Sequence, residues 1–268
     1  MYEEFYGLEK KCFSKTPDPA FLYLGRAHAE ALARLQYAVE EREFVLLTGE
    51  IGSGKTTLSR ALVDSLDGSY RPVLITNPRL SPAQFLRTLA KKLGVAKPMY
   101  FKNDLLEQIN ERLYLSDQEG VCPVIIIDEA QLIPGKDTFE EIRLLTNYQL
   151  DDKNLVCLVL IGQTELRERL KRPAYKALRQ RIGMAFHLPL LEAQETAQYI
   201  SHRLKVAGRE DALFSPGSVG LIHKYAGGVP RVINTIATGA LLNGLGSGAD
   251  TITEEMVEDA VNDLGLGG

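Results

Sequence analysis

One run of eight residues combines three glycines, a lysine and a hydroxyl at a fixed spacing. Residues 49–56 read Gly-Glu-Ile-Gly-Ser-Gly-Lys-Thr, which satisfies the pattern G-x-x-x-x-G-K-[ST] in full. Glycines allow backbone N–H groups to curl around an anion, the lysine reaches the β- and γ-phosphates, and the hydroxyl binds Mg²⁺. The apolar run Phe44–Thr48 precedes this loop and a helical stretch with Leu58 and Leu62 follows, so a helix N-terminus adds its positive dipole end. The sequence therefore predicts a nucleotide-phosphate site made of Gly49, Glu50, Ile51, Gly52, Ser53, Gly54, Lys55, Thr56 and Thr57, with Lys55 also catalytic and Thr56 a metal ligand.

A pair of carboxylates ends another apolar run. Asp128 and Glu129 come directly after Val124–Ile127. Ligands of parallel sheets lie at the C-terminal ends of strands, so we expect these acids beside the phosphate loop. Asp128 is predicted to hold Mg²⁺, and Glu129 to orient and deprotonate an attacking water. By themselves the two acids could equally be helix caps, but together with the loop they predict nucleotide hydrolysis.

The identity of the nucleotide follows from motifs that the sequence lacks. It contains neither an Asn-Lys-x-Asp guanine-reading motif nor the Leu-Ser-Gly-Gly-Gln signature of transporter ATPases. We therefore predict ATP with Mg²⁺ as ligands. A small-molecule kinase stays open on the phosphate loop alone, although the acidic pair suits activation of water better.

The elements that must position these residues alternate between apolar, β-branched runs and helical stretches. Near-continuous apolarity marks strands covered on both faces, and the intervals between the runs suit crossover helices. This pattern predicts an α/β fold with a parallel sheet. The predicted strands are Phe44–Thr48, Pro72–Thr76, Pro123–Ile127, Leu155–Ile161 and Ala185–Leu188.

After Pro189 the strand-like runs stop and helical patterns separated by glycines take over. We predict an α/β phosphate-binding domain with an N-terminal extension over residues 1–190 and a helical lid over residues 191–268. The predicted lid helices are Glu192–Ala207, Pro216–Tyr225, Pro230–Leu242 and Thr253–Leu264, punctuated by Gly227-Gly228 and the cluster Gly244–Gly248.

With these motifs placed, the chain resembles the AAA+ ATPases of the ExeA-like group, which serve secretion and pilus assembly and are related to the TniB and TnsC regulators of transposition. The resemblance implies a P-loop AAA+ core with a helical lid, and it covers nearly the whole chain. It rests on Asp128–Gln131, Phe5–Leu8, Thr16–Leu24, Asn77–Leu80, Arg143–Asn147, Leu160–Leu166, Gln180–Ile182 and Gly227–Asn234.

The same resemblance implies roles for three further residues. Gln163 is similar to the sensor that contacts the γ-phosphate or the attacking water, although many AAA+ proteins have Asn, Ser or Thr there. Arg181 resembles the arginine finger that reaches the nucleotide of a neighbouring subunit, and Arg179 stays open as an alternative. Arg231 resembles the second sensor on the lid. A finger acting in trans implies a homo-oligomer, a ring or a filament.

The charge is unevenly distributed along the chain. Lys and Arg number 31 and Asp and Glu 35, which gives a net charge of −4. From residue 68 to residue 103, however, the sequence has seven basic residues and no acidic one. Such a stretch could bind duplex DNA, or it could be ordinary solvated helix faces and subunit contacts. The candidate DNA contacts are Arg79, Lys91, Lys92, Lys97 and Lys102.

Cysteines and hydropathy limit the class of protein. Three widely spaced cysteines exclude a disulfide framework, and we expect Cys122 and Cys157 to be core residues of strands. No apolar run approaches the roughly 18 residues of a transmembrane helix, so we predict a cytoplasmic protein without a transmembrane segment. Its predicted function is that of an oligomeric ATPase in assembly of a secretion or pilus system, with a protein partner there. The alternative is a nucleotide-dependent DNA-binding scaffold that recruits a transposase.

Overall fold

The computed structural model describes residues 1–14 and 18–267. Thr16 and Pro17, two residues of the stretch Thr16–Leu24 quoted above, lie outside the described residues. The strands are β1 (Phe44–Gly49), β2 (Tyr70–Ile75), β3 (Cys122–Ile127), β4 (Cys157–Gly162) and β5 (Met184–Leu188). The helices are α1 (Tyr2–Phe5), α2 (Arg26–Glu40), α3 (Lys55–Ser65), α4 (Pro82–Lys92), α5 (Lys102–Gln118), α6 (Lys136–Leu145), α7 (Thr164–Leu170), α8 (Lys176–Arg181), α9 (Ala193–Val206), α10 (Pro216–Ala226), α11 (Pro230–Ser247) and α12 (Glu254–Asp263).

The strands form one parallel sheet in the order β2-β3-β4-β1-β5. Thr48 of β1 pairs in register with Gly162 of β4 and His187 of β5, so these strands end at one edge of the sheet. Every residue of β1, β3 and β4 is buried, as expected for central strands covered on both faces. The predicted α/β fold with a parallel sheet is confirmed.

Residues 30–49 and 58–188 form one compact unit, here called the sheet unit. Its core lies where α4, α5 and α6 cover the sheet, with Phe85, Ile109 and Phe139 almost fully buried in the same cluster as Ile125 and Ile127 of β3. Alternate side chains of a strand point to opposite faces, and the buried cluster takes the odd-numbered residues of β3 on this face. The core therefore fixes the end of β3, and with it the position of the acids that follow.

Residues 1–29, 50–57 and 189–268 form the second compact unit, here called the loop unit because it contains the phosphate loop. The N-terminal segment packs here through Phe13 and Phe21, in one apolar cluster with residues of α9 to α12. The buried Arg203 donates from Nε to the carbonyl of Cys12 and lies 4.8 Å from the ring centre of Phe21. The N-terminal segment thus shares its core with the predicted lid helices. The predicted division at residue 190 stays a prediction.

The sequence pattern predicts that α11 ends at Leu242, before the glycine cluster. The structure shows instead that the helix runs into the cluster. The helix continues to Ser247 and ends at Gly248, which adopts the left-handed conformation with φ 67°. Gly244 lies inside the helix, where an added Cβ would collide with the Tyr6 hydroxyl and with Ile252. This glycine serves close packing rather than a turn, and close packing has no local sequence signature.

The expectation for the two strand cysteines is confirmed, because Cys122 and Cys157 lie buried on β3 and β4 as free thiols. Burial also raises the pKa of the Cys12 thiol to about 12. A thiol that stays protonated is a poor nucleophile and a poor metal ligand.

Candidate functional site

The phosphate loop has a backbone that only glycine adopts readily. It follows β1 and leads into α3, and Gly52 and Gly54 have φ angles of 79° and 103°. The Ser53 N–H donates to the Glu50 carbonyl over 3.1 Å, which closes a tight turn. A side chain at either glycine would strain the backbone. The motif itself requires glycine at position 54, and the structure adds the same requirement at position 52.

Lys55 begins α3 and extends back over the loop. The side chain is only 7% exposed, and Nζ donates to the Glu50 carbonyl over 2.8 Å. An ammonium group held at the loop and a helix N-terminus in the same place both favour a bound anion. Thr56 and Thr57 follow in the first turn of α3 and are partly exposed.

Within the loop unit, the start of α11 packs directly on the phosphate loop. The Arg231 backbone N–H donates to the Gly52 carbonyl over 3.3 Å. A Cβ on Gly52 would stand 2.8 Å from Cβ of Arg231 and 3.1 Å from a methyl carbon of Val229. The structure thus brings the predicted second sensor to the loop, and it adds a packing reason for glycine at position 52.

The acidic pair stands at the end of β3 in the sheet unit. The Asp128 N–H donates to the Ile75 carbonyl of β2 over 3.0 Å, and its Oδ1 accepts from the Glu129 N–H over 2.8 Å. Glu129 has φ 54°, in the left-handed region. Such a conformation costs a non-glycine residue about 1–3 kcal/mol and recurs where side-chain direction matters. The two neighbouring carboxylates have different partners, since Asp128 accepts from the Glu129 N–H and Glu129 accepts from amide side chains.

Two amide side chains hold the Glu129 carboxylate. Gln131 and Gln163 both donate from Nε2 to Oε2 of Glu129, the latter over 3.2 Å. The Gln131 side-chain oxygen in turn accepts from the Gln163 backbone N–H over 3.1 Å. We call Glu129, Gln131 and Gln163 the acid–amide cluster. The predicted sensor therefore contacts the predicted general base, and a residue without a predicted role, Gln131, joins them.

The acid–amide cluster depends on close packing around β4 and α7. A Cβ on Gly162 would collide with the Leu166 side chain and stand 3.1 Å from the Gln131 amide oxygen. Arg169 of α7 donates from Nη1 to the Ile133 carbonyl over 2.6 Å, which braces the turn that carries Gln131. Gln131 belongs to a motif of the resemblance but had no predicted role, because neither its contact with Glu129 nor that with Gln163, 32 residues away, has a signature in the sequence.

The two candidate finger arginines belong to α8. Arg181 lies near the N-terminal ends of β1 and β4, whereas the acid–amide cluster lies at the C-terminal ends of β3 and β4. Arg181 donates to the Asn147 side-chain oxygen over 3.0 Å, and Arg179 donates to the Lys171 carbonyl over 3.2 Å. Both are exposed. Arg181 also lines a cavity of about 240 Å³ together with Arg42, Glu43 and Asn154. The structure does not bring Arg181 or Arg179 to the acid–amide cluster of its own sheet unit, where no hydrogen bond joins them among the described residues.

The predicted DNA contacts lie on the surface of the sheet unit, and several have local partners. Lys91 and Lys92 occupy the last turn of α4, where positive charge offsets the helix dipole. Lys102 forms a 2.7 Å ion pair with Glu141, whose side chain is 6% exposed. All five residues are exposed, namely Arg79, Lys91, Lys92, Lys97 and Lys102. These contacts are the ordinary ones of solvated helices, and DNA binding stays a prediction.

Comparison with known proteins places these features in a family. A family model described as an AAA domain matches residues 38–170, which include the phosphate loop and the acid–amide cluster. The chain is also 38% identical over 258 residues to general secretion pathway protein A of Aeromonas hydrophila. The chain carries an AAA domain of the ExeA-like group. The resemblance stated from the motifs is thereby confirmed.

The match to general secretion pathway protein A covers 94% of this chain but only 46% of the relative. The ExeA-like AAA domain thus spans less than half the length of that protein. Among the described residues, we find no helix with both the length and the apolarity needed to cross a membrane.

Solved structures support the AAA+ fold. ORC2 of Aeropyrum pernix, in ADPNP–ADP complexes, has a TM-score of 0.71 at 18% identity, with 95% of this chain and 72% of that chain covered. Drosophila ORC bound to DNA has the same TM-score at 17% identity, covering 97% and 66%. The RuvB branch migration motor of Thermotoga maritima reaches 0.61 at 20% identity, covering 95% and 74%. At such identities the likeness concerns the fold alone.

Proposed function

We propose that this ExeA-like AAA domain binds and hydrolyses ATP with Mg²⁺ and acts as an oligomeric nucleotide switch in the assembly of a secretion or pilus system. The observation that carries the proposal is a complete phosphate loop in a chain whose sheet unit also holds a carboxylate fixed by two amides. A chain that only bound phosphate would not need a carboxylate held by two amides.

The loop's own geometry fits a polyphosphate. Two left-handed glycines let its backbone curl as a loop that binds an anion through N–H groups must, and Lys55 supplies a positive charge. Ser53 is only 1% exposed, and its hydroxyl has no hydrogen-bond partner among the described residues. A buried polar atom left unsatisfied is costly, and functional sites are where such atoms are retained.

Mg²⁺ would be held by the Thr56 hydroxyl and the Asp128 carboxylate, because both offer the hard oxygen atoms that this ion prefers. When bound, the ion neutralises charge that develops on the phosphates. Lys55 binds the β- and γ-phosphates, and the remaining residues of the loop, Gly49–Thr57, surround them.

The acid–amide cluster supplies the group that acts on water. Glu129 is the general base, since a carboxylate can orient a water molecule and accept its proton. Gln163 and Gln131 hold that carboxylate through their amide N–H groups. Gln163 also exchanges this contact for one with the γ-phosphate or the water, which would link nucleotide state to the position of the base.

Arg181 is proposed to act on the nucleotide of a neighbouring subunit. Arg231 is proposed to couple the state of the nucleotide to the position of α11. The exposed position of Arg181, away from the acid–amide cluster of its own chain, agrees with a role in trans. Hydrolysis then requires an oligomer. The secretion setting is taken from the name of the relative of which this chain covers 46%. The pilus setting comes from the ExeA-like resemblance, and a cytoplasmic location is also part of the proposal.

The DNA-binding transposition scaffold is not favoured by any observation on the described residues. Among the basic candidates, Lys102 is paired with Glu141, and Lys91 and Lys92 offset the dipole of α4. The fold's likeness to DNA-bound ORC does not transfer its ligand. We therefore do not advance it as a second function.

A subunit-mixing experiment tests the proposed switch. Arg181→Ala should lower ATP turnover by about 1000-fold, since an arginine finger stabilises the charge of the transition state. Lys55→Ala should be nearly inactive because its own loop binds ATP about 100-fold more weakly. An equimolar mixture of the two should recover turnover, because the Lys55→Ala subunit still offers Arg181 to the intact loop of its neighbour. Phosphate release, measured over a range of protein concentrations, gives the readout.

Arg179→Ala is the matched control, because it removes an arginine of the same short helix. It should keep near-normal turnover. If Arg179→Ala is the inactive variant and Arg181→Ala is active, the finger is assigned wrongly. If neither the wild type nor the mixture hydrolyses ATP, the proposed function itself is wrong.

A further inference from the structure

His28 of α2 is buried against the phosphate loop, within the loop unit. It is 5% exposed, and its Nε2 lies 3.0 Å from the Ser53 carbonyl oxygen. A carbonyl oxygen only accepts hydrogen bonds, so Nε2 carries the proton and Nδ1 is the bare nitrogen. Burial lowers the pKa of His28 below its usual 6.5, which keeps the ring neutral at pH 7. The sequence offered no reason to give this histidine a role.

The hydrogen bond from His28 fixes the orientation of one peptide group of the loop. In a trans peptide the C=O and the following N–H point in opposite directions, and the described residues contain no cis peptide bond. Holding the Ser53 carbonyl toward the imidazole therefore directs the Gly54 N–H away from it. A peptide next to glycine rotates easily, because glycine has few forbidden conformations.

Gly54 lies directly against the imidazole ring of His28. Its φ of 103° suits glycine alone, and a Cβ there would stand 3.0 Å from Nε2 of His28. The backbone therefore approaches the ring as closely as a residue without a side chain allows. This approach is what brings the Ser53 carbonyl within hydrogen-bonding distance.

Two polar atoms around this peptide are buried and have no partner among the described residues. They are Nδ1 of His28 and the hydroxyl oxygen of Ser53. An apolar side chain at position 28 would avoid the first of these costs, which is about 1–3 kcal/mol for an unsatisfied buried group. Such a side chain would also remove the donor to the Ser53 carbonyl, so what a histidine supplies here is the bond that orients the Ser53–Gly54 peptide.

We infer that His28 is a positioning residue for nucleotide binding: its Nε2–H keeps the Ser53 carbonyl turned away and so presents the Gly54 N–H to the phosphates of ATP. Without this bond the peptide turns over in part of the molecules. A carbonyl oxygen then faces the phosphates and repels them. The inference rests on the proposed function and adds a residue from outside the motif.

The test compares a side chain that keeps the donor with two that lose it. His28→Gln can place an amide N–H near the position of Nε2, whereas His28→Leu has no donor and His28→Asn is one bond too short. We expect Leu and Asn to weaken binding of ATP and of inorganic tripolyphosphate by about tenfold, in line with one hydrogen bond. We expect Gln to stay within about twofold of the wild type. Isothermal titration calorimetry measures both ligands.

Steady-state kinetics and a control variant separate this role from a general loss of structure. His28→Leu should raise KM for ATP while kcat changes by less than about twofold, because the acid–amide cluster is untouched. His202→Leu replaces another histidine of the loop unit, whose Nε2 is also buried without a partner among the described residues, and it should bind tripolyphosphate normally. If His28→Leu does not fold, the Asn and Gln pair gives the same comparison.

Two results would overturn the inference. His28→Leu or His28→Asn could bind both ligands as tightly as the wild type. The Gln, Asn and Leu variants could all lose affinity equally, which would make the role one of packing. Failure of the wild type to bind either ATP or tripolyphosphate would instead refute the proposed function, on which the inference rests.

Discussion

The phosphate loop and the acid–amide cluster are built in opposite ways. The loop is one continuous stretch whose shape comes from its own backbone, with φ angles of 79° and 103° at two glycines. The cluster joins side chains from two distant stretches, since Gln163 lies 34 residues after Glu129. A backbone site is preorganised by local conformation, whereas a side-chain site depends on the packing of the strands that carry it.

This difference predicts a separation of functions under mutation. Changes in the loop should alter how tightly phosphate binds, because the loop offers N–H groups and one positive charge. Changes in the cluster should alter turnover and leave binding nearly intact, because the cluster holds a base. Substitutions of Lys55 and of the two amides test that separation, and Gly52→Ala tests the packing of the loop; they follow in order of decreasing effect.

The largest effect on binding is expected from Lys55→Ala. The substitution removes the ammonium group that reaches the phosphates, and charged hydrogen bonds contribute about 1.5–3 kcal/mol. We expect ATP affinity to fall by about 100-fold, and turnover with it. Titration with a fluorescent ATP analogue measures the change. Normal affinity in a folded Lys55→Ala protein would contradict a phosphate site at this loop.

A smaller effect is expected from the amides of the cluster. Gln131→Leu and Gln163→Leu each remove one donor to the Glu129 carboxylate, so each should lower kcat by about tenfold and leave KM for ATP within about twofold. The double variant should lose less than the product of the two, because neighbouring groups couple. If the two effects are additive, or if KM rises instead of kcat falling, Gln131 does not act through Glu129.

The smallest effect concerns stability and comes from Gly52→Ala. The added methyl group meets Arg231 and Val229, and alanine at a φ of 79° is strained. We expect a loss of about 1–2 kcal/mol in the free energy of unfolding. Gly246→Ala is the matched control, since its Cβ meets nothing within 4 Å and alanine favours a helix. Chemical denaturation should show the control unchanged or more stable.

Local patterns allowed much of the fold to be predicted. The β-branched runs placed the ends of each predicted strand within about two residues of the observed ends. The glycine-lysine motif located the loop. The order β2-β3-β4-β1-β5 and the continuation of α11 through Gly244 depend on which surfaces pack together. No window of sequence contains that information.

The same limit applies to the candidate site. Asp128 and Glu129 stand out because they end an apolar run, whereas Gln163 was a candidate only through the family resemblance. His28 gains its importance from a contact 25 residues away along the chain, and Gln131 links Glu129, its near neighbour, to Gln163, which is 32 residues away. A histidine on the buried face of a helix looks like a core residue until its partner is known.

The most direct test of the account is Glu129→Gln, with ATP affinity and turnover measured on the same preparation. Loss of a general base lowers turnover by about 100- to 1000-fold, and we expect ATP affinity to stay within about threefold of the wild type. Glu140→Gln, which removes an exposed carboxylate of α6, should leave both quantities unchanged. Turnover that persists in Glu129→Gln would contradict the assignment of Glu129 as the base and, with it, the division of labour between loop and cluster.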